Sequence, residues 1–162
     1  IVYWKFVMGG KVVVTNKKAR FQYELVEFFE AGIVLQGTEV KSIRSGKANL
    51  QDSYATIKDE EVFLYNMHIS PYEQGNIFNH EPTRVRKLLL HKQEIKRLSG
   101  KVLERGMTLV PVKIYFKNGR AKVELGLARG KSQVDKRKDI ARRDEQRMME
   151  REFKQKVKFN IK

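Results

Sequence analysis

The chain has 162 residues, enough for one domain and a short extension. Its 34 Lys and Arg residues exceed its 19 Asp and Glu residues by 15, which favours a polyanionic partner, nucleic acid first and an anionic membrane surface second. Cysteine is absent, which excludes disulfides and cysteine-ligated metals and is typical of a cytoplasmic protein. No apolar run approaches the roughly 20 residues of a transmembrane helix, so no membrane-spanning segment is expected.

The start of the sequence is unusual. The apolar residues 1–7 precede Met8, and the polar Gly9-Gly10 that follows is typical of the start of a chain. We predict that residues 1–7 are an upstream extension that is not native, within an N-terminal extension covering residues 1–15. No small-residue cleavage site follows the apolar stretch, which argues against a secretory signal.

Two stretches in the first half have strand character. Residues 23–29 are rich in aromatic and β-branched side chains, and the strand resumes at residues 33–35 after an interruption at Ala31-Gly32. Residues 53–58 and 62–69 predict a hairpin, connected by a three-residue acidic turn.

Two helices are predicted. The first covers residues 39–44, with Thr38 as its N-cap, and ends at Gly46. The second covers residues 92–105, where apolar side chains share one face, and ends at Gly106.

The last predicted elements of the folded part form a hairpin. Apolar residues alternate over 110–116 and 123–127, and Asn118-Gly119 between them is a strong turn signal. Pro111 predicts an edge strand or a bulge. The element order favours a mainly β fold with helices, an antiparallel, partly open barrel of the oligonucleotide-binding (OB) type over residues 16–130. An antiparallel α+β sandwich is the alternative.

The C-terminal segment, residues 131–162, has a different composition. From residue 129 on, the chain holds 13 basic and 6 acidic residues, a net charge of +7 against +8 for everything before it. Between residues 135 and 153 the only apolar side chains are Ile140, Ala141, Met148, Met149 and Phe153. We predict a basic tail that is disordered when free and becomes helical on a negatively charged target.

The chemistry-bearing residues favour binding over catalysis. Three scattered histidines lack metal-ligand spacing, and no nucleotide-binding or hydrolase motif is present, so we expect no catalytic residue, metal site or cofactor. Glu30 is unusual in this basic chain, and its carboxylate could accept from a guanine or cytosine edge or only hold an arginine. Phe21 and Tyr72 are candidates for stacking on bases. The candidates for phosphate contacts are Lys17, Arg20, Lys41, Arg44, Lys47, Arg84, Arg86, Lys87, Arg129 and Lys131.

Several stretches occur together in a fixed order. They are Glu30-Ala31-Gly32-Ile33, Gly37-Thr38-Glu39-Val40-Lys41-Ser42, Pro82-Thr83-Arg84 followed by Arg86-Lys87-Leu88-Leu89-Leu90, Gly126-Leu127-Ala128-Arg129-Gly130-Lys131, and Asp135-Lys136-Arg137. Together they resemble the SmpB (small protein B) family of bacterial tmRNA-binding proteins, from about residue 16 to the C-terminus. Ser132, Val134 and Phe21 depart from the residues common in that family.

The resemblance implies an OB-type barrel that grips the tRNA-like domain of tmRNA. The complex would enter a stalled ribosome in the cytoplasm, with the elongation factor that carries aminoacyl-tmRNA as an indirect partner. The tail would fold as a helix in the decoding centre and the vacant mRNA channel of the small subunit, after which the nascent chain is tagged.

The resemblance also implies roles for individual residues. Asn16, Glu30 and Leu89 would lie on the tmRNA face, supported by the basic residues Lys17, Arg20, Arg84, Arg86 and Lys87. Arg129 and Lys131 would match a basic strand end of the family. Asp135-Lys136-Arg137 would act after binding, during accommodation and tagging, and Met148 and Met149 would belong to the ribosome-bound tail. The alternative function is a general single-stranded RNA-binding protein or RNA chaperone that uses the same barrel.

Overall fold

The computed structural model describes residues 10–159, with a few side chains excepted. The strands are β1 (Lys11–Thr15), β2 (Tyr23–Ile33), β3 (Ala48–Asn49), β4 (Tyr54–Lys58), β5 (Glu61–Tyr65), β6 (His68–Ile69), β7 (Arg86–Leu89), β8 (Thr108–Lys117) and β9 (Arg120–Gly130). The helices are α1 (Ala19–Gln22), α2 (Gly37–Arg44), α3 (Lys92–Arg105) and α4 (Gln133–Phe159), with a 3-10 helix at Glu73–Phe78. No helix within residues 10–159 is long and apolar enough to cross a bilayer.

The main sheet curves round on itself. Its strand order is β1-β8-β4-β5-β7-β2-β9, and β8 also pairs with β9. Strand β8 therefore pairs with β4 and with β9, the two ends of the series β4-β5-β7-β2-β9, and this closes the sheet into a barrel. The barrel is only partly closed, because the β4–β8 seam is held by the pair Ala55↔Leu109 and the β2–β7 seam by Gly32↔Leu89 and Ile33↔Leu88. The predicted partly open barrel is confirmed, and the sandwich alternative is excluded.

Aliphatic side chains fill the barrel. Leu64, Leu109, Ile114 and Leu125 are fully buried, and Leu98 of α3 packs into the same cluster. Burying one such side chain stabilises the fold by about 1.5–3 kcal/mol. The helix α3 begins and ends where the apolar spacing predicts.

Tight turns close the two predicted hairpins. Asn118 and Gly119 have φ values of 51° and 72°, the left-handed conformation that an Asn-Gly turn adopts. Asp59 and Glu60 have φ values of 51° and 59°, so the first hairpin also turns on two residues. The predicted three-residue turn was therefore one residue too long, since β5 already begins at Glu61.

The predicted interruption at Ala31-Gly32 is absent, and β2 runs through both residues. A Cβ atom on Gly32 would lie 3.2 Å from the Cβ of Leu89, so the missing side chain lets β2 and β7 approach closely. Pro111 lies at a bulge, since the register of β8 and β9 shifts between Pro111 and Lys113. A bulge was one of the two alternatives predicted for this residue.

The start of α2 differs from the prediction. Gln36, rather than Thr38, is the N-cap, and the Glu39 side chain accepts a hydrogen bond of 2.7 Å from the backbone N–H of Gln36 in a capping box. The Thr38 hydroxyl instead contacts Nδ1 of the buried His80 at 2.8 Å. Gly46 follows the helix at φ 71°, as predicted.

The predicted N-terminal extension contains a strand of the barrel. β1 pairs with β8 from Lys11↔Phe116 to Thr15↔Lys113. The prediction that residues 1–7 are not native lies outside the described residues.

The chain divides after Arg129 into two compact units. In the second unit, the hydroxyl of Ser132 accepts a hydrogen bond of 3.2 Å from the backbone N–H of Asp135, at the start of α4. The helical conformation agrees with the state expected on the target. The absence of this helix from the free tail stays a prediction.

Candidate nucleic-acid interface

A groove of about 630 Å³ lies between β2, β7 and the tip of the β8–β9 hairpin. Glu30 and Leu89 both line this groove, together with Arg120 and Lys122. The register that pairs Gly32 with Leu89 brings the first two residues together across neighbouring strands. The groove therefore contains two of the residues that the family resemblance placed on the RNA face.

The Glu30 carboxylate is held by two donors. The hydroxyl of Tyr115 donates a hydrogen bond of 2.5 Å to Oε2, and Nζ of Lys117 lies 3.3 Å from each carboxylate oxygen. The Tyr115 hydrogen bond lowers the pKa of Glu30 below its ordinary value, burial opposes this effect, and Lys117 reinforces it. Glu30 is thus an ionised, oriented hydrogen-bond acceptor at neutral pH.

Cations lie beside this carboxylate and along the groove. Arg120 and Lys122 line the groove, Lys117 contacts Glu30 directly, and the guanidinium of Arg44 lies 5.4 Å from the centre of the Phe116 ring in the groove wall. Sequence reasoning predicted Arg44 but missed the other three. Their signal was a set of basic residues on both sides of the Asn118-Gly119 turn.

Leu89 is an apolar side chain at a polar site. It is 52% exposed although it lies on a strand whose neighbour Leu88 is buried. Lys87 lies two residues before Leu89 and hence on the same face of β7. Its ammonium group forms an ion pair with Glu61.

A second basic surface lies at the far end of β9. Arg20 is exposed on α1, and Lys17 is exposed just before it. Ala19 of the same helix packs with Val110 and Ala128. The exposed Arg129 follows Ala128. At about 3.3 Å per residue, the six or seven residues from the groove to this end of β9 separate the two surfaces by roughly 20 Å.

Asn16 supports this second surface from inside the fold. Its side-chain amide donates hydrogen bonds to the carbonyls of Leu50 (3.1 Å) and Pro111 (3.0 Å), and its carbonyl accepts from the backbone N–H of Ala19 (3.2 Å). The side chain is buried and its polar groups are occupied. In this structure Asn16 orders the basic turn, which corrects its expected place on the RNA-facing surface.

Arg86 also belongs to the interior rather than to the RNA face. Its guanidinium is fully buried and donates to Glu39 at 2.7 Å, to the Met67 carbonyl at 2.7 Å and to the Pro82 carbonyl at 3.1 Å. Strand alternation explains the correction, because residue 86 shares the inward face of β7 with Leu88. A basic residue in a basic run was therefore mistaken for a phosphate contact.

Arg84 and Lys41 remain accessible but have protein partners. Arg84 bonds Glu39 at 2.7 Å with its side chain 29% exposed, and Lys41 lies 5.2 Å from the centre of the Tyr72 ring. Burial raises the pKa of Glu39, but the hydrogen bonds from Arg84, the Gln36 backbone and Arg86 outweigh it and hold the pKa below its ordinary value. Glu39 therefore binds two of the predicted RNA-contacting arginines.

The predicted tail residues lie at the start and in the middle of α4. Lys131 forms an ion pair with Asp139, and Asp135 bonds the Ser132 hydroxyl at 2.6 Å. Lys136 is partly exposed and Arg137 is exposed. Met148 and Met149 are exposed as well.

The fold and this interface define a class, a small barrel protein with a cationic groove and a long basic helix, suited to nucleic acid. The sequence model of the SmpB protein family matches residues 13–155. The chain belongs to the SmpB family.

Relatives and a solved structure agree with this assignment. The chain is 58% identical over 153 residues to the SsrA-binding protein of Pelotomaculum thermopropionicum, covering 94% of this chain and 100% of that one. It is 60% identical over 150 residues to the SsrA-binding protein of Geobacillus thermodenitrificans, covering 93% and 97%. A chain from a solved structure described as "tmRNA-SmpB: a journey to the center of the bacterial ribosome" is 55% identical, with a TM-score of 0.63 and coverage of 74% of this chain and 85% of that chain.

Proposed function

We propose that this protein is an RNA-binding adaptor that binds the tRNA-like domain of tmRNA and delivers it to stalled ribosomes for trans-translation. The observation that carries the proposal is the groove that Glu30, Leu89 and the two cations Arg120 and Lys122 line, in a chain whose relatives are named SsrA-binding proteins. The work takes place in the cytoplasm, and the protein contributes binding and positioning rather than catalysis.

The two basic surfaces of the barrel support binding to a folded RNA. An RNA backbone that lies along β9 would meet Lys122 at one end and Arg129 at the other, roughly 20 Å apart at about 3.3 Å per residue. Each phosphate that a cation neutralises releases counterions and steepens the salt dependence of binding. A folded RNA of tRNA size can contact both basic surfaces at once as a single rigid body.

The tail supplies the second half of the function. Helix α4 carries the basic Lys136 and Arg137 near its start and the exposed, apolar Met148 and Met149 further on. A basic helix of this composition suits an RNA-lined channel, and we assign it to the decoding centre and the vacant mRNA channel of the small subunit. The elongation factor that carries aminoacyl-tmRNA is then an indirect partner.

Truncation after Lys131 tests whether the barrel alone binds tmRNA while the tail acts on the ribosome. We expect affinity for the tRNA-like domain, measured by gel shift in raised salt, to survive largely intact, while tagging in a reconstituted stalled-ribosome assay is lost. An unstructured RNA of equal length is the control ligand. Equal affinity for both RNAs would contradict the adaptor and favour a general single-stranded RNA-binding protein.

A further inference from the structure

We propose that Glu30 reads the Watson–Crick edge of an unpaired guanine in the bound RNA, and that Tyr115 is the positioning residue that holds its carboxylate for this contact. The proposal rests on the proposed function and names the chemistry that its groove recognises.

The carboxylate has free acceptor capacity toward the groove. An ionised carboxylate offers about four lone-pair sites. Tyr115 bonds Oε2, and Lys117 approaches both oxygens at 3.3 Å. The Glu30 side chain is 40% exposed and lines the groove, so the remaining acceptor sites are open to a ligand.

Among the four bases, guanine fits this acceptor best. Its Watson–Crick edge presents the N1–H and N2–H donors side by side, which two carboxylate oxygens can accept together. Adenine, cytosine and uracil each place an acceptor beside a donor on that edge, and a carboxylate repels an acceptor. A group that only accepts therefore selects the base with two adjacent donors.

The rest of the groove suits a base that has left its stack. Leu89 offers an exposed apolar surface against which a base can pack, and Arg120 and Lys122 can neutralise the flanking phosphates. The carboxylate oxygens themselves repel a phosphate oxygen and accept a base edge, whereas the neighbouring cations attract the backbone. The groove thus combines one site for a base with neighbouring sites for its backbone.

Tyr115 determines where the carboxylate points. Its ring is buried, so the hydroxyl is held in place by the core. Lys117 is a flexible donor at a longer distance and cannot fix the orientation alone. Removal of the Tyr115 hydroxyl should leave guanine as the preferred base while weakening the contact.

Inosine scanning tests the base assignment, because inosine lacks the N2 amino group of guanine. The probe is the tRNA-like domain of tmRNA with each unpaired guanine replaced by inosine in turn, bound to the full-length protein. We expect one position at which inosine weakens binding by roughly tenfold or more, as for a lost hydrogen bond to a charged acceptor. In Glu30→Gln the same inosine should cause little further loss.

The outcomes separate the two proposals. An unmodified tRNA-like domain that fails to bind overturns the proposed function and this inference together. Tight binding with no sensitive guanine overturns the inference alone. A sensitive guanine whose inosine effect persists fully in Glu30→Gln also overturns it, because another residue would then read that base.

The pH profile tests Tyr115. The groups that face Glu30 are Tyr115, Lys117 and Lys122, and His91, Glu94 and Arg120 line the same groove. Because the Tyr115 bond keeps the pKa of Glu30 low, Tyr115→Phe should raise that pKa, and binding should weaken at a higher pH on acidification than in the wild type.

Tyr65→Phe is the matched control, since Tyr65 stacks on Tyr54 and does not line the groove. It should keep the wild-type profile, and thermal melts should show both variants folded. The binding profile of Glu30→Gln should show no weakening that comes from protonation at this position. A Tyr115→Phe profile identical to that of the wild type would overturn the positioning role.

Discussion

The barrel and the tail use the same kinds of residue in opposite ways. In the barrel, Arg86 is fully buried and pairs with a buried Glu39, so part of the positive charge stabilises the fold. In the tail, Arg147 is well exposed and lies 3.9 Å from an exposed Asp144. Positive charge in a basic protein is therefore not uniformly a ligand-binding feature, and burial decides which role each arginine has.

The same contrast holds for apolar residues. Leu98 of α3 is fully buried in the barrel core, whereas Phe153 of α4 is 70% exposed. The barrel thus has internal packing to stabilise it, and the tail helix gains little from burial within its own unit.

The largest expected effect is in the buried ion cluster. Glu39→Gln removes the charge that Arg84 and Arg86 share, and should lower the free energy of unfolding by about 3–5 kcal/mol because a guanidinium is left buried without a counterion. Asp144→Asn in the tail is the matched control, with an expected change within about 0.5 kcal/mol. Urea denaturation measures both, and similar losses would remove the contrast between the regions.

Core packing should give the next largest effect. Leu98→Ala creates a cavity and should lower the free energy of unfolding by about 2–5 kcal/mol. Leu103→Ala is the control on the same helix, because Leu103 is 81% exposed, and Phe153→Ala is the control in the tail. If either control were as destabilising as Leu98→Ala, the barrel would not be the main source of stability.

Acid should remove the contribution of Glu39. Its pKa is lowered in the folded protein, so its stabilisation is present above the ordinary value of 4.5 and is lost as pH falls through the lower folded value. The difference in unfolding free energy between wild type and Glu39→Gln should therefore be large at pH 7 and shrink below about pH 4. A constant difference across this range would exclude the charge as its cause.

The tail should show the smallest intrinsic stability. A peptide of residues 130–162 should have low helicity by circular dichroism in dilute buffer, because its helix buries few apolar side chains and repeats like charges. Addition of a structured RNA should raise the helicity, and high salt should reverse the increase. High helicity without RNA would mean that the tail is preformed.

Short-range features of the fold could be predicted from the sequence. The Asn118-Gly119 turn, the bounds of α3 and the charge density of the tail follow from residues close together in the chain, whose conformational preferences act locally. Glu30 was a candidate from the residues themselves and the family resemblance added Leu89, and the structure places both in one groove.

What only the tertiary structure decided depends on partners distant in sequence. The strand β1 forms by pairing with β8, and Arg86 is buried together with its ion-pair partner Glu39. Glu30 is oriented by its hydrogen bond from Tyr115. Local preferences do not encode which strand lies beside which, and a charged side chain looks the same in sequence whether its counterion is a phosphate or a buried carboxylate. Long-range pairing sets the burial of each charge, and burial sets its role.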